Sequence, residues 1–365
     1  MKSHIKNLDG IRGLAILLVL LYHFCNLIDW KWAFGLNFII DIGWAGVDLF
    51  FVLSGFLITS ILIEAKGSNN YFKTFYMRRF FRIFPLYYLA LFMVFIFAPI
   101  VISNYGSNSS INAHQIWYWT YLGNFYSYFG HLKNEYFSVS HFWSLCIEEQ
   151  FYIFWPLVIF LTPNNKIQKL TLIMIVMTFI IRAFFIFYSN ARLVYHFTFT
   201  RFDLLFAGAF LASYVKQPTF SIDLRKILKY GFVFSILLLI ILFWLRSASA
   251  YDSYMQLFGY PAVLIASCFI VYEGYTNQSG LIARVFSNKF LAFFGIYSYG
   301  IYVIHGLLRP TLFRYYSDSM QYFYTPLYNK ILFVILAISF TVGLAYLSFH
   351  LFEKRFLRLK KYFNY

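Results

Sequence analysis

Long apolar runs dominate this chain, each near the roughly 20 residues that a helix needs to cross about 30 Å of hydrocarbon. They cover residues 13–29, 44–64, 84–103, 141–162, 169–189, 195–215, 228–246, 254–273, 290–308 and 330–352. In lipid such runs satisfy their backbone N–H and C=O groups only as helices or closed barrels, and runs of this length are helical. The fold expected is therefore all-α: a polytopic membrane helical bundle of about ten transmembrane helices. No internal repeat is evident and no segment has the composition of a separate soluble domain, so residues 1–365 read as one integral-membrane domain. Charged residues make up 12% of the chain, about half the share that covers a soluble surface. A soluble enzyme, a disordered chain and a disulfide-stapled secreted domain are excluded. The net charge of +16 does not point to nucleic acid, because the charges sit in short clusters between apolar runs, where membrane lipid is their neighbour.

The shorter segment 115–129 (QIWYWTYLGNFYSYF) is rich in Trp and Tyr and reads as an interfacial or re-entrant helix. The Gly/Ser/Asn-rich stretch Tyr105 to Ser110 reads as a loop. Cys25, Cys146 and Cys268 lie inside apolar runs without metal or redox spacing, so they read as core residues and no metal site is expected. The first run lacks a small-residue cleavage site and reads as a retained span.

The 30 Lys and Arg residues set the orientation. With the N-terminus inside, they favour the inner loops roughly three to one, a strong positive-inside signal. The inner set includes Lys66, Lys73, Arg78, Arg79 and Arg82, and a tail of Lys354, Arg355, Arg358, Lys360 and Lys361. The outer set is Lys31, Lys133, Arg192, Arg246, Arg309, Arg314 and Lys330. Both termini are thus expected in the cytoplasm.

Ionisable groups at membrane depth are costly and mark a functional site by default. His23 follows Arg12 by about 1100° of helical rotation, roughly 20° past three turns, so the two share a face about 16 Å apart. The alternative is a snorkelling Arg12 and a hydrogen-bonded core histidine. Asp48 falls in the second run, near Gly43, Gly46 and Gly55, which suit close helix packing. It reads equally as an ion-pair partner or a site residue. Arg79-x-x-Arg82 puts two guanidinia on one helix face, fitted to phosphate oxygens or to anionic lipid. In the fourth run His141, Ser144, Glu148 and Tyr152 form a polar stripe, and Glu149 points about 100° from Glu148. Two carboxylates at this depth suit acid–base work or a transporter's proton relay. Arg201 and Asp203 read as a structural salt bridge, and Tyr297, Tyr299 and His305 add polar groups to the ninth run. Together these groups suggest one polar cavity open to the outside.

The order and spacing of Arg12-x10-His23, GVDLFFVLSGFLI, Arg79-x-x-Arg82 followed by Ile83-x-Pro85, WSLCIEEQFYIFWP, Arg201-x-Asp203 and YSYGIYVIH cover residues 8 to about 308. In these motifs the chain resembles the acyltransferase-3 family of integral membrane acyltransferases. Cys146 departs from the Ser or Ala common in such proteins. The chain ends soon after its last run, so a stand-alone form without a fused SGNH-type domain is expected. The membrane domain then completes transfer itself, or a separate extracytoplasmic transferase partner does.

The resemblance implies a bacterial enzyme of the cytoplasmic (inner or plasma) membrane that O-acylates, most often O-acetylates, an extracytoplasmic glycan or lipid-linked saccharide, such as lipopolysaccharide O-antigen or exopolysaccharide. Acyl-CoA, most often acetyl-CoA, is the implied co-substrate, with no bound cofactor. His23 is the implied catalytic histidine. Glu148 or Glu149 orients its imidazole or relays its proton, and Arg12, Arg79 and Arg82 serve acyl-CoA. Asp48, His141, Ser144, Tyr152, Arg201, Asp203, Tyr299 and His305 are the expected acceptor cavity. The competing classes are a non-enzymatic transporter or flippase, which would favour an internal repeat, and an acyltransferase that moves a larger acyl group or takes a small-molecule acceptor. Reporter fusions at both ends test the topology. Both are expected to report cytoplasm, and an extracytoplasmic C-terminus would mean an odd number of crossings.

Overall fold

Among the described residues every element is a helix, as the length and apolarity of the runs require. The computed structural model describes residues 5–26, 28, 34–101, 114–129, 138–188, 191–320 and 327–365. The expected loop Tyr105 to Ser110, together with Lys31 and Lys133, lies outside the described residues. No strand occurs among them. Nine of their helices have the length and apolarity to cross a membrane. The chain divides into two compact units, residues 1–22, 30–67 and 151–296, and residues 23–29, 68–150 and 297–365.

The first unit holds most of α1 (Lys6–Cys25), α2 (Phe34–Asp41) and α3 (Ala45–Ala65). Later in the chain come the second unit's α4 (Tyr71–Phe92), α5 (Ile116–Trp119) and α6 (Gly123–Phe129), and then α7 (Trp143–Leu161), whose second half returns to the first unit. The first unit continues with α8 (Ile167–Tyr188), α9 (Phe202–Lys216), α10 (Leu224–Leu245), α11 (Tyr260–Thr276) and the start of α12 (Lys289–Met320). The rest of α12, with α13 (Leu327–Ser348) and α14 (Lys354–Leu359), completes the second unit.

The run at 195–215 supplies α9, which has 15 residues and is about 22 Å long, short of a full crossing. Its start is delayed by the 3-10 turn Thr198–Thr200, where the Thr200 hydroxyl donates to the Val194 carbonyl at 2.7 Å. What α9 lacks in length it makes up in burial: Leu204, Leu205, Phe206, Ala209, Leu211 and Ala212 are all buried. It packs on α3 at backbone distance, since a Cβ at Gly55 would overlap the Leu205 carbonyl and one at Gly208 the Val52 carbonyl. Gly43 and Gly46 serve the same purpose against the backbone of α1. By contrast, Ile173, Val176 and Ile180 on α8 and Val233, Leu237 and Ile241 on α10 are exposed apolar residues, suited to lipid contact.

The charges of this unit are closed into pairs. Arg201 pairs with Asp48, and Arg182 pairs with Asp203 at 2.5 Å. All four side chains are at most 2% exposed. The Arg201 guanidinium lies 4.5 Å from the Tyr260 ring centroid and 5.3 Å from that of Tyr195. This corrects the expected Arg201–Asp203 bridge. Residues two apart do not face each other around a helix, so each takes a partner from another helix. Tyr152, at the foot of the expected stripe, is bonded to Ser54 by its hydroxyl, and the Trp155 indole donates to Thr59 at 2.8 Å.

In the second unit the 115–129 segment is two short helices, α5 and α6, joined at Tyr121, whose φ is 56°. That left-handed conformation is uncommon for a residue with a side chain. It is held by Gln150, which donates to the Tyr121 carbonyl and to Asn124 Oδ1, both at 2.8 Å, and by stacking of Tyr121 on Tyr87, with centroids 4.3 Å apart. Arg78 donates to the carbonyls of Lys360 (3.3 Å) and Phe363 (2.9 Å), tying the turns after α14 to α4.

The paired charges generate a stability prediction. Asp48→Ala leaves Arg201 buried without its carboxylate and is expected to lower stability in detergent by about 3–5 kcal/mol. The double variant Asp48→Leu/Arg201→Met is expected to recover most of that loss. Denaturant unfolding measures both, and an Asp48→Ala protein as stable as the parent would refute the closed pair.

Candidate active site

Three histidines from distant parts of the sequence meet in the second unit. His23 lies in the last turn of α1, His305 within α12, and His141 in the 3-10 turn Ser140–Phe142 that leads into α7. The ring centroids of His23 and His305 are 5.0 Å apart, and those of His305 and His141 are 5.1 Å apart. A carbonyl only accepts hydrogen bonds, so the ring nitrogens that face carbonyls carry the protons. His305 Nδ1 donates to the Tyr302 carbonyl at 2.6 Å, and His141 Nε2 donates to the Val303 carbonyl at 3.1 Å. The opposite nitrogens, His305 Nε2 and His141 Nδ1, have no hydrogen-bond partner among the described residues. The Tyr302 hydroxyl donates to the His141 carbonyl at 2.9 Å and lies 2.5 Å from Ser144 Oγ, which fixes the turn carrying His141.

The His23 and His141 rings border a cavity of about 180 Å³. Its wall includes His23, His141, Ser138, Ser140, Arg309 and Phe313. A half-buried histidine beside a polar cavity is placed to take a proton from a hydroxyl bound there. Among the described residues no group of three or more His, Cys, Asp or Glu is arranged to hold a metal ion.

A second cluster lies lower on the same helices. Glu149, on α7, is buried and within Coulombic reach of Glu148 and Arg79. Tyr299, on α12, is within reach of Arg82, Glu148, Glu149 and Glu353, and its hydroxyl donates to the Ile83 carbonyl at 2.6 Å. Glu148 also reaches Tyr302. The cluster thus sets two arginines one helical turn apart near the carboxylates of Glu148 and Glu149, and guanidinia in such pairs suit phosphate oxygens.

The structure thus sorts the expected site residues. His23 and His141 line the cavity, with His305 packed against both rings and Ser144 against the turn that carries His141. Arg79, Arg82, Glu148, Glu149 and Tyr299 form the second cluster. Glu148 and Glu149 are not among the residues of the cavity wall, and backbone carbonyls orient His141 and His305. Asp48, Tyr152, Arg201 and Asp203 belong to the first unit's paired groups, and Arg12 pairs there with Asp9 at 2.7 Å. Sequence reasoning missed Arg309, Tyr302 and Glu353. Arg309 follows His305 by four residues, one turn along the same face, a spacing that could have flagged it.

Residues 5–350 match the family described as an acyltransferase domain. The chain belongs to the acyltransferase-3 family. It is 31% identical over 378 residues to a Staphylococcus aureus (strain COL) protein whose name marks it as an inferred O-acetyltransferase, covering 97% of this chain and 57% of that one. It is 30% identical to the peptidoglycan O-acetyltransferase OatA of Listeria monocytogenes, over 83% of this chain and 49% of the relative. It is 29% identical to YrhL of Bacillus subtilis, named as an inferred peptidoglycan O-acetyltransferase, over 96% and 54%. The chain therefore spans about half the length of the curated relatives it matches. No solved structure matches it.

Within this acyltransferase-3 chain the packing of His141 depends on Gly306, where an added Cβ would fall on the imidazole. Gly306→Ala is expected to displace His141 and lower stability by about 1–3 kcal/mol. Adding His141→Ala should then restore part of the loss, because the ring that clashes is gone. Unfolding of the two single variants and the double measures the coupling; strictly additive losses would mean that the ring and the glycine do not compete for space.

Proposed function

We propose that this chain is a membrane O-acyltransferase that moves an acetyl group from cytoplasmic acetyl-CoA to a hydroxyl of an extracytoplasmic sugar. The observation that carries the reading is the histidine cluster bordering a polar cavity, with the Arg79–Arg82 cluster lower on the same helices. Family membership and the names of the bacterial relatives support O-acetyl transfer to a cell-surface glycan, peptidoglycan among them; lipopolysaccharide O-antigen or exopolysaccharide are narrower readings of the same class.

The orientation that fits is the one the charge bias favours, with both termini and the arginine cluster cytoplasmic and about ten helices forming one domain in a bacterial cytoplasmic membrane. Arg79 and Arg82 then hold phosphate groups of CoA. An extended pantetheine arm spans the roughly 16 Å of α1 between Arg12 and His23, so the thioester reaches the histidines while the nucleotide stays inside. His23 takes the proton of the acceptor hydroxyl. The oxygen attacks the thioester carbonyl carbon, the C–S bond breaks, and the CoA thiolate leaves and is protonated. The products are the sugar ester and CoA. His305 and His141, each locked as one tautomer by a backbone carbonyl, pack beside each other at the reaction centre.

The test is transfer of radiolabelled acetyl from acetyl-CoA to cell-envelope glycan by purified protein in lipid nanodiscs. His23→Ala is expected to lower the rate by roughly 10² to 10⁴ at unchanged membrane insertion. Arg79→Ala/Arg82→Ala is expected to raise the KM for acetyl-CoA, with Lys at both positions restoring it only in part. Transfer by His23→Ala within a few-fold of the parent would remove His23 from the mechanism, and an unchanged KM in the double variant would return the arginines to a lipid-anchoring role.

A further inference from the structure

Two features of the sequence have no part in the acyl-transfer scheme: Arg78, which precedes the Arg79–Arg82 pair, and the tail that follows α14. The structure joins them. Past Leu359 the chain makes the 3-10 turn Lys360–Tyr362 and then runs extended at Phe363, with φ −122° and ψ 95°. A helix end leaves carbonyls short of donors, and Arg78 supplies one. Its Nη1 donates to the Lys360 carbonyl at 3.3 Å and to the Phe363 carbonyl at 2.9 Å. One turn earlier on α4 the buried Thr74 donates from its hydroxyl to the Asn364 carbonyl at 3.0 Å. One turn later the Phe81 ring lies 5.7 Å from that of Phe363. Spacings of four and three put Thr74, Arg78 and Phe81 on one stripe of α4, and residues 360–365 lie along that stripe as a strap.

The stripe borders the arginines assigned to CoA. At about 100° per residue, Arg82 stands roughly 40° and Arg79 roughly 100° around α4 from Arg78. The strap therefore runs beside the edge of α4 that carries both. Tyr365, at its far end, is within Coulombic reach of Arg78 and Arg79. The acceptors of Arg78 are neutral carbonyls, so its charge is not cancelled by them and adds to the field at Arg79 and Arg82. Arg358, in the last turn of α14, and Lys361, in the turn that follows, are exposed and add two more cations. Such a field attracts a polyanion. CoA carries its phosphates at the nucleotide end and its thioester at the other, so a wall built here meets the nucleotide end alone.

We propose that residues 360–365 form one wall of the acyl-CoA site, clasped against α4 by Thr74 and Arg78, which act as positioning residues and not as phosphate ligands. The proposal rests on the reading of Arg79 and Arg82 as the donor site.

The experiment follows the strap itself, in the full chain in nanodiscs. Hydrogen exchange of segment 360–365 is measured without ligand, with acetyl-CoA, and with S-acetylpantetheine, which has the thioester arm and no phosphate. At about ten times its Kd acetyl-CoA is expected to slow the exchange roughly tenfold, and S-acetylpantetheine is expected to leave it unchanged. Binding is then measured for Thr74→Val, Arg78→Ala and the double variant. Thr74 is buried and uncharged, so it affects phosphate only through the strap. Thr74→Val is expected to weaken acetyl-CoA roughly threefold to tenfold, the scale of one net hydrogen bond. S-acetylpantetheine binding should stay intact, as the sign of a folded site. Arg78→Ala should weaken acetyl-CoA at least as much, and the double variant no more than Arg78→Ala, because one clasp is released only once. Exchange indifferent to acetyl-CoA would overturn the proposal, as would a Thr74→Val protein with the parent's affinity. Losses that add in the double variant would overturn it by making Arg78 a phosphate ligand in its own right. The exchange measurement needs no variant, so it holds even where Arg78→Ala fails to fold. Arg79→Ala/Arg82→Ala, run alongside, separates the two readings. Unchanged acetyl-CoA affinity there removes the donor site and this wall with it, while weakened affinity with an indifferent strap removes the wall alone.

Discussion

A polar group inside a bilayer has no water to turn to, and its partners must come from the protein itself. That constraint separates the charged residues of this chain into two kinds. The first unit closes its charges. Arg201 with Asp48 and Arg182 with Asp203 are buried pairs, with the Tyr260 ring against both guanidinia at 4.5 and 5.5 Å. Such an arrangement holds helices in register. The second unit keeps capacity open. His305 and His141 each spend one nitrogen on a carbonyl and retain the other, next to a cavity. In a membrane an unused acceptor of this kind costs stability, and it persists where binding or chemistry uses it.

The same constraint explains how much was legible in the sequence. The long helices were legible because the bilayer fixes their length, and the hydrophobic runs carry that length directly. Close packing at Gly43, Gly46 and Gly55 was legible because small residues in an apolar helix have few other uses. The partners of the buried charges were not. Arg201 and Asp203 stand two residues apart, and adjacency in sequence suggested a bridge that the helix rotation forbids. Asp48 comes from a helix far away in the chain and Arg182 from α8, just before α9, and periodicity within one helix says nothing about which face of another helix it meets. The short α9 was hidden for a local reason, since Thr200 is unremarkable inside an apolar run until its hydroxyl bonds back to the chain.

The candidate site was legible in its members more than in its arrangement. Each of the three histidines stood out as a polar residue in an apolar run. Their meeting depends on α1, the turn before α7, and α12, whose mutual placement no single-helix pattern contains. The resemblance ties Glu148 and Glu149 to His23. In the structure the groups that orient His141 and His305 are backbone carbonyls, which leave no mark on the sequence, and Glu149 lies within Coulombic reach of Arg79 and Tyr299.

The use of backbone carbonyls has a further consequence for α12. Each carbonyl oxygen has two lone pairs, and a helix occupies one of them. The Tyr302 and Val303 carbonyls can therefore accept from the imidazoles without giving up helical bonds, so α12 stays a continuous membrane-crossing element while it fixes two tautomers. The geometry works only if a ring from another segment can lie against the helix backbone. Gly306 provides that room, because any side chain there would occupy the place of the His141 ring. Four residues later Pro310 removes a donor from the same turn, on the face where Arg309 borders the cavity. One stretch of α12 thus combines the rigidity of a spanning helix, the orientation of two histidines, and an exposed polar backbone toward the cavity. An identical set of side chains on a helix with alanine at 306 and no proline at 310 would keep the composition of the site and lose its geometry.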